Sequence, residues 1–186
     1  MGKRKRQNSD DEDDDGSSTK RAKHQPISII KVYVDGSFWR KGDGGRPKKG
    51  QCKCTRRAGY GVYIPERKKK RKRCYSGRAP LKIKNSDQAE FHAITFAIKS
   101  FRTEDTKLFI FTDCLHAVKI SEELDDWLQE DKKREEHIEK MFEAMRSCNH
   151  LPQLFHVRGH SGIEGNEMAD GLAKQGMRKG CGGKCV

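Results

Sequence analysis

The chain has 186 residues, 33% hydrophobic and 36% charged, enough for one domain with a real core plus segments outside it. A formal net charge of +13 favours a polyanionic partner, most simply nucleic acid. No apolar run approaches the roughly 20 residues that cross a bilayer, and the seven cysteines, an odd count beside no secretory signal, fit free thiols in a reducing compartment.

Residues 1–26 hold almost no large apolar side chain and alternate a basic cluster ("KRKR"), an acidic block ("DDEDDD") and a second basic cluster ("KRAK"). Nothing there offsets the entropy of ordering, so a disordered tail is expected. The two basic clusters suit a bipartite nuclear-import signal. An import receptor is then a partner and the nucleus the expected location, with cytoplasmic presence compatible; a merely adhesive basic arm is the plainer reading. The domain is expected over 27–178, and the Gly- and Cys-rich end, 179–186, is expected to be flexible.

"SIIKVYVD" reads as a strand and "GSFWRKGDGGRPKKGQCKCTRRA" as a long loop. "GYGVYIP" and "RCYSGRA" read as hairpin strands around "ERKKKRKR", whose adjacent cations require solvent. "SDQAEFHAITFAIKSF" has helical apolar spacing, with Ser86 as its N-cap. "KLFIFTD" reads as a buried strand and "LHAVKISEELDDWL" as one helix, with Trp127 packed in the core. "REEHIEKMFEAMRS" is an amphipathic helix with Ile138, Met141, Phe142 and Met145 inward, "PQLFHVRGH" the last strand, and "GNEMADGLAKQGM" a final helix capped by Asn166. A meander followed by strand–helix alternation predicts a mixed α/β sheet whose strand ends line the ligand crevice.

Asp35 and Asp113 close two of these strands, Glu90 lies early on the first helix, and Asp170 lies in the last. One acid at a strand end is usually a cap or a turn former. Several at one crevice repel each other unless cations neutralise them, and oxygen-only ligands select Mg²⁺ or Mn²⁺.

At these positions the chain resembles the ribonuclease H family, type 1. The likeness lies in "YVDGS", "QAEFHAI", "FTDC" and "VRGHSGIEGNEMADGLA". It implies an α/β fold with a five-stranded mixed sheet flanked by helices. It also implies a two-metal hydrolase that cuts the RNA strand of RNA–DNA hybrids to 3′-hydroxyl and 5′-phosphate ends. Asp35 would bridge both Mg²⁺ ions (Mn²⁺ can substitute), with Glu90 and Asp113 on one and Asp170 on the other. The ions, about 4 Å apart, would activate water and stabilise the leaving 3′-oxygen. His160, in a Gly-flanked loop, suits a proton carrier. Glu167 is read as a solvated helix position, with an acid supporting the metal site as the alternative.

The chain departs from the family pattern at several places. Cys114 stands where the family usually has Ser. "SFWRKGDGG" and "NSDQAE" replace the Asn and Thr-Asn groups that read the 2′-hydroxyl or grip DNA phosphate, leaving Ser37, Asn85, Ser86 and Gln88 as candidate contacts. The basic, Trp-rich protrusion is replaced by the acidic "SEELDDWLQEDKKREEHIEK". Compensating grip is expected from the first loop and from Lys68, Lys69 and Lys70, as salt-sensitive phosphate contacts without sequence choice. The Cys52/Cys54 and Cys181/Cys185 pairs do not match a zinc pattern. A monomer is expected. The rival readings are a catalytically weak binding protein on the same fold and a retroelement-derived enzyme.

Overall fold

The computed structural model describes residues 27–40, 56–66, 71–129 and 134–179. The tail with the expected import signal, Lys68, Lys69, Lys70, the two Cys pairs and the side chain of Trp127 lie outside the described part. Cys74, Cys114 and Cys148 within it are free thiols.

Strands β1 (Ser28–Arg40), β2 (Arg56–Ile64) and β3 (Arg73–Arg78) form an antiparallel meander. Helix α1 (Ser86–Phe101) crosses to β4 (Thr106–Thr112), which pairs parallel with β1. Helices α2 (Leu115–Glu122), α3 (Leu124–Gln129) and α4 (Glu136–Arg146) lead to β5 (Gln153–His156), parallel to β4, and α5 (Glu164–Arg178) closes the chain. The sheet order is β3-β2-β1-β4-β5, the five-stranded mixed sheet expected.

Strand β1 runs further than its sequence suggests. Gly36–Arg40, read as loop, continues the ladder in register from Gly36↔Tyr60 to Arg40↔Arg56, and Arg57 stacks on Trp39 at 4.3 Å. The helix expected after β4 is broken at Glu123 into α2 and α3. Strand β5 is short, ending at His156.

The core lies on one face of the sheet. Val32, Val34, Val62, Leu108 and Ile110 pack there with Phe91, Ile94 and Ile98 of α1 and Met141, Phe142 and Met145 of α4. Each large side chain removed from water this way stabilises the fold by about 1.5–3 kcal/mol. On the other face α5 packs over β1, β2 and β3. It approaches at backbone distance, since a Cβ at Gly61 would fall on the carbonyl of Ala169.

The N-cap of α1 is Asn85, not Ser86: its extended backbone (φ −150°, ψ 174°) turns the side chain so that Oδ1 accepts from Gln88 N at 2.8 Å. Gln88 Oε1 in turn accepts from Lys84 N at 2.8 Å, so both side chains hold the turn before the helix. Asn85→Ala should cost about 1 kcal/mol, read as a lower urea midpoint at unchanged slope. An unchanged midpoint would remove the cap from the account.

Candidate active site

Parallel pairing sets the carboxyl end of β4 beside the middle of β1, so that Asp35, inside β1 rather than closing it as expected, meets the acid that follows β4. Asp35, opposite Gly61 on β2, is only 6% exposed. Asp113 follows the last residue of β4. Glu90 reaches them because Gly36 has no side chain: a Cβ there would fall on the backbone of Ala89 and Glu90. The Gly36 N–H donates to Glu90 Oε2 at 2.9 Å, fixing the carboxylate over the strand. Asp35, Glu90 and Asp113 thus each offer a ligand atom within 4.8 Å of the others.

This proximity is electrostatically costly. Burial first, then the charges of Asp113 and Asp170, push the Asp35 carboxyl up to about 8, against the opposing pull of Lys174 and a hydrogen bond with Glu90. Burial and then Asp35 and Asp113 hold Glu90 well above the ordinary carboxyl range. Without a cation, the cluster retains protons at neutral pH. Three carboxylates without nitrogen or sulfur donors fit a hard divalent ion. Cys114 is not among these donors, and burial pushes its thiol up to about 12.

Asp170 belongs to a second group. It lies with His160 and Glu167, their ligand atoms within 4.8 Å of one another, and accepts from Lys174 Nζ at 2.6 Å. Its charge reaches Asp35, but its carboxylate is not in the three-acid set. His160 is exposed and takes φ 50°, left-handed backbone that a side chain rarely adopts, while Gly162 takes φ 80° two residues on. The bend turns the loop after β5 back towards α5, where Glu167 and Asp170 sit. Glu167 is exposed, as read, yet it faces this group.

Several residues here escaped the sequence reading. Asn166, taken as a cap, lies inside α5 and is 2% exposed; Ile163 holds the cap position. Asn166 Nδ2 donates to Asp113 Oδ2 at 3.2 Å, and its Oδ1 is a buried acceptor without a partner. Its place four residues before Asp170, on the same helix face, is the signal that could have found it. Gly159 gives Asp113 room, since a Cβ there would lie 2.7 Å from Oδ2. Asp87, in the first turn of α1, pairs with His116 Nδ1 at 2.6 Å and adds the last of the upward pushes on Glu90.

The candidate substrate contacts are dispersed. Ser37 Oγ donates to Met177 Sδ at 3.6 Å, Ser86 is exposed at the start of α1, and Asn85 and Gln88 are engaged in capping. Gln88 also lines a cleft of about 600 Å³ between the turn before α1, α1 itself and the start of α4. Lys82, Lys84, Lys99 and Lys140 border it, and Glu136 ties Lys82 to Lys140. None of the clustered acids lines that cleft.

The family model described as RNase H matches residues 27–178. Human Ribonuclease H1 is 30% identical over 141 residues, which cover 66% of this chain and 44% of that protein; the match thus spans less than half the length of the human relative. A crystal structure of LC9-RNase H1, described as a type 1 RNase H with the type 2 active-site motif, shares the fold at TM-score 0.63 and 21% identity, covering 86% of this chain and 78% of that one. The foamy viral protease-reverse transcriptase in complex with RNA/DNA hybrid also shares it, at TM-score 0.58 and 21% identity, over 86% of this chain and 22% of the viral one.

Proposed function

The chain belongs to the ribonuclease H family, and on that footing we propose that it is a Mg²⁺-dependent endoribonuclease cutting the RNA strand of RNA–DNA hybrids to 3′-hydroxyl and 5′-phosphate ends. The observation that carries this reading is the convergence of Asp35, Glu90 and Asp113 within 4.8 Å at the open end of the sheet. Such mutual repulsion is relieved either by retained protons or by a cation, and three carboxylates suit a hard divalent ion.

In this proposal residues 27–178 form the catalytic unit. Asp35, Glu90 and Asp113 would hold one divalent ion, and Asp170, whose charge reaches Asp35, would help hold a second. Bound there, the ions supply Lewis acidity, stabilising charge on the attacking and leaving oxygens. The chain's own groups do the rest. Asn166 holds one oxygen of Asp113, and Lys174 holds Asp170 in place in the metal-free protein. His160, on its turned loop beside Glu167 and Asp170, moves the proton of the attacking water or the product.

Substrate grip comes from phosphate contacts and reads no sequence. The exposed Arg71 and Lys72, with Lys68, Lys69 and Lys70 before them and the lysines bordering the cleft beside Gln88, supply the charge. The protein acts as a monomer, and the basic clusters of residues 1–26 carry it to the nucleus through an import receptor.

The test is cleavage of a hybrid labelled on its RNA strand, beside single-stranded RNA, duplex RNA and duplex DNA of the same sequence. With Mg²⁺ only the hybrid's RNA should be cut, the products should prime a polymerase without phosphatase treatment, and chelation should stop the reaction. Tight hybrid binding with no cleavage in Mg²⁺ or Mn²⁺ would reduce the chain to a binding protein.

A further inference from the structure

The face of the sheet that carries α5 is only partly covered. Along β4, Leu108, Ile110 and Thr112 are buried in the core, while Lys107, Phe109 and Phe111 alternate onto the opposite face. Cross-strand pairing places Lys31 beside Phe109, Tyr33 beside Phe111, and Phe155 on the other side of Phe111. The aromatic rings form a ladder across the strands. Tyr33 stacks on Phe111 at 4.9 Å and Phe111 on Phe155 at 5.2 Å, each pair at an interplanar angle of 22°. Phe109 meets Phe155 edge-on at 5.2 Å.

One end of the ladder is closed and the other open. At Tyr33 a Cβ on Gly165 would strike the ring, so the start of α5 seals that end. At the far end Phe155 sits on edge strand β5 and is 37% exposed, and the ring neighbours described for it, Phe109 and Phe111, both lie on β4. Two cations flank the rings: Lys31 is exposed, and Lys107 Nζ lies 5.8 Å from the centre of the Phe109 ring.

We propose that this open end of the aromatic ladder, Phe155 with Phe109 and the flanking Lys31 and Lys107, is a second nucleic-acid surface that binds an unpaired, single-stranded segment by base stacking. An aromatic ring with neighbouring lysines accepts any base on its face and the adjoining phosphates on the cations. A duplex hides its base faces, so the surface selects unpaired nucleotides. A second copy of the chain fits poorly here, because each would bring a net charge of +13 to the contact. The surface also leads to the acids: Lys31 lies four residues before Asp35 in β1, and Phe109 of β4 lies four residues before Asp113. A single-stranded end leaving a hybrid at the acids has a short path to it.

The experiment uses the full chain with EDTA and no divalent ion, so its outcome is independent of cleavage. Anisotropy is measured with labelled uridine and deoxythymidine oligonucleotides and with an abasic strand of equal length. Base-bearing strands should bind about tenfold tighter than the abasic strand. Phe155→Leu should erase that preference while leaving abasic affinity unchanged, and Phe155→Trp should keep it. Lys107→Gln should weaken all strands alike and reduce the salt slope by about one unit. Equal binding of base-bearing and abasic strands by the wild type would overturn the proposal, as would a base preference untouched by Phe155→Leu. Binding of RNA but not DNA strands, or the reverse, would keep the surface and define its sugar. Hybrid cleavage and melting temperature of Phe155→Leu serve as the folding control.

Discussion

Asp35→Asn should lower hybrid cleavage by at least about a thousandfold and, at the same time, make the metal-free protein melt at a higher temperature at pH 8. The first effect follows from the position of Asp35 between the two acid groups. It is clustered with Glu90 and Asp113 and feels the charge of Asp170, so its loss weakens cation binding at both. Several kcal/mol of charge stabilisation at the reacting oxygens correspond to three or more decades of rate. The second effect follows from linkage. The Asp35 carboxyl titrates near 3.8 when exposed and at about 8 in the folded chain. Between those values the folded protein holds a proton that the unfolded chain has released, so stability falls as pH rises through that window. Below about pH 4 both states are protonated and the contribution disappears.

An amide cannot ionise, so the Asn variant escapes this cost. Each unit of displacement is worth about 1.4 kcal/mol, and part of it is shared with Glu90. A gain of about 2–4 kcal/mol at pH 8 is therefore expected, or about 5–10 °C in melting temperature for a domain of this size. At pH 4 the two proteins should melt together. Mg²⁺ should raise the wild-type melting temperature at pH 8 and leave the variant nearly unchanged. Calorimetry at the two pH values, with and without Mg²⁺, reads all of this. A variant that cleaves within tenfold of wild type, or a melting shift of equal size at pH 4 and pH 8, would contradict the assignment.

Much of this was legible because local pattern and tertiary role coincide. Strand and helix periodicity placed α1, α4, α5 and β4 within a residue or two, and reading Asp35 and Asp113 as strand ends pointed to a shared crevice, although Asp35 lies inside β1. What escaped depends on partners distant in sequence. Gly36–Arg40 is too rich in Gly and charge to look like a strand, yet β2 offers it a continuous ladder. Asn85 and Ser86 are both good caps, and only the backbone angles choose between them. "KLFIFT" reads as buried on both sides, but its odd positions, Phe109 and Phe111, are half-exposed on a face that α5 covers only towards β1, β2 and β3. Alternation reveals which residues share a face and says nothing of whether a helix lies over it. That Asp170 stands apart from Glu90 and Asp113 was expected from the resemblance, but its grouping with His160 and Glu167 was not, because it depends on tertiary placement of the loop at His160 against α5.

Gly36→Ala should be among the most damaging single-methyl substitutions in the chain. The added Cβ would overlap backbone atoms of Ala89 and Glu90, and backbone in the first turns of a packed helix cannot swing aside as a side chain tip can. Either α1 lifts from β1 or β1 bows, and both loosen the contact that seats Phe91 and Ile94 in the core. A loss of about 3 kcal/mol or more is expected from strain and lost packing together. Activity should fall further than stability explains. Lifting α1 stretches the bond from Gly36 N to Glu90 Oε2 and draws the Glu90 carboxylate away from Asp35 and Asp113. A displacement of about 1 Å in such a group costs about a hundredfold in rate. Cleavage measured well below the variant's melting temperature separates the two effects. Gly171→Ala is the matched control: its Cβ meets nothing within 4 Å on the exposed side of α5, and alanine suits a helix interior better. That substitution should stabilise by about 0.5–1 kcal/mol and leave cleavage unchanged. If Gly36→Ala behaved like the control, the close approach of α1 to β1 would not be what brings Glu90 to the other two acids. The three-carboxylate cluster would then need another explanation.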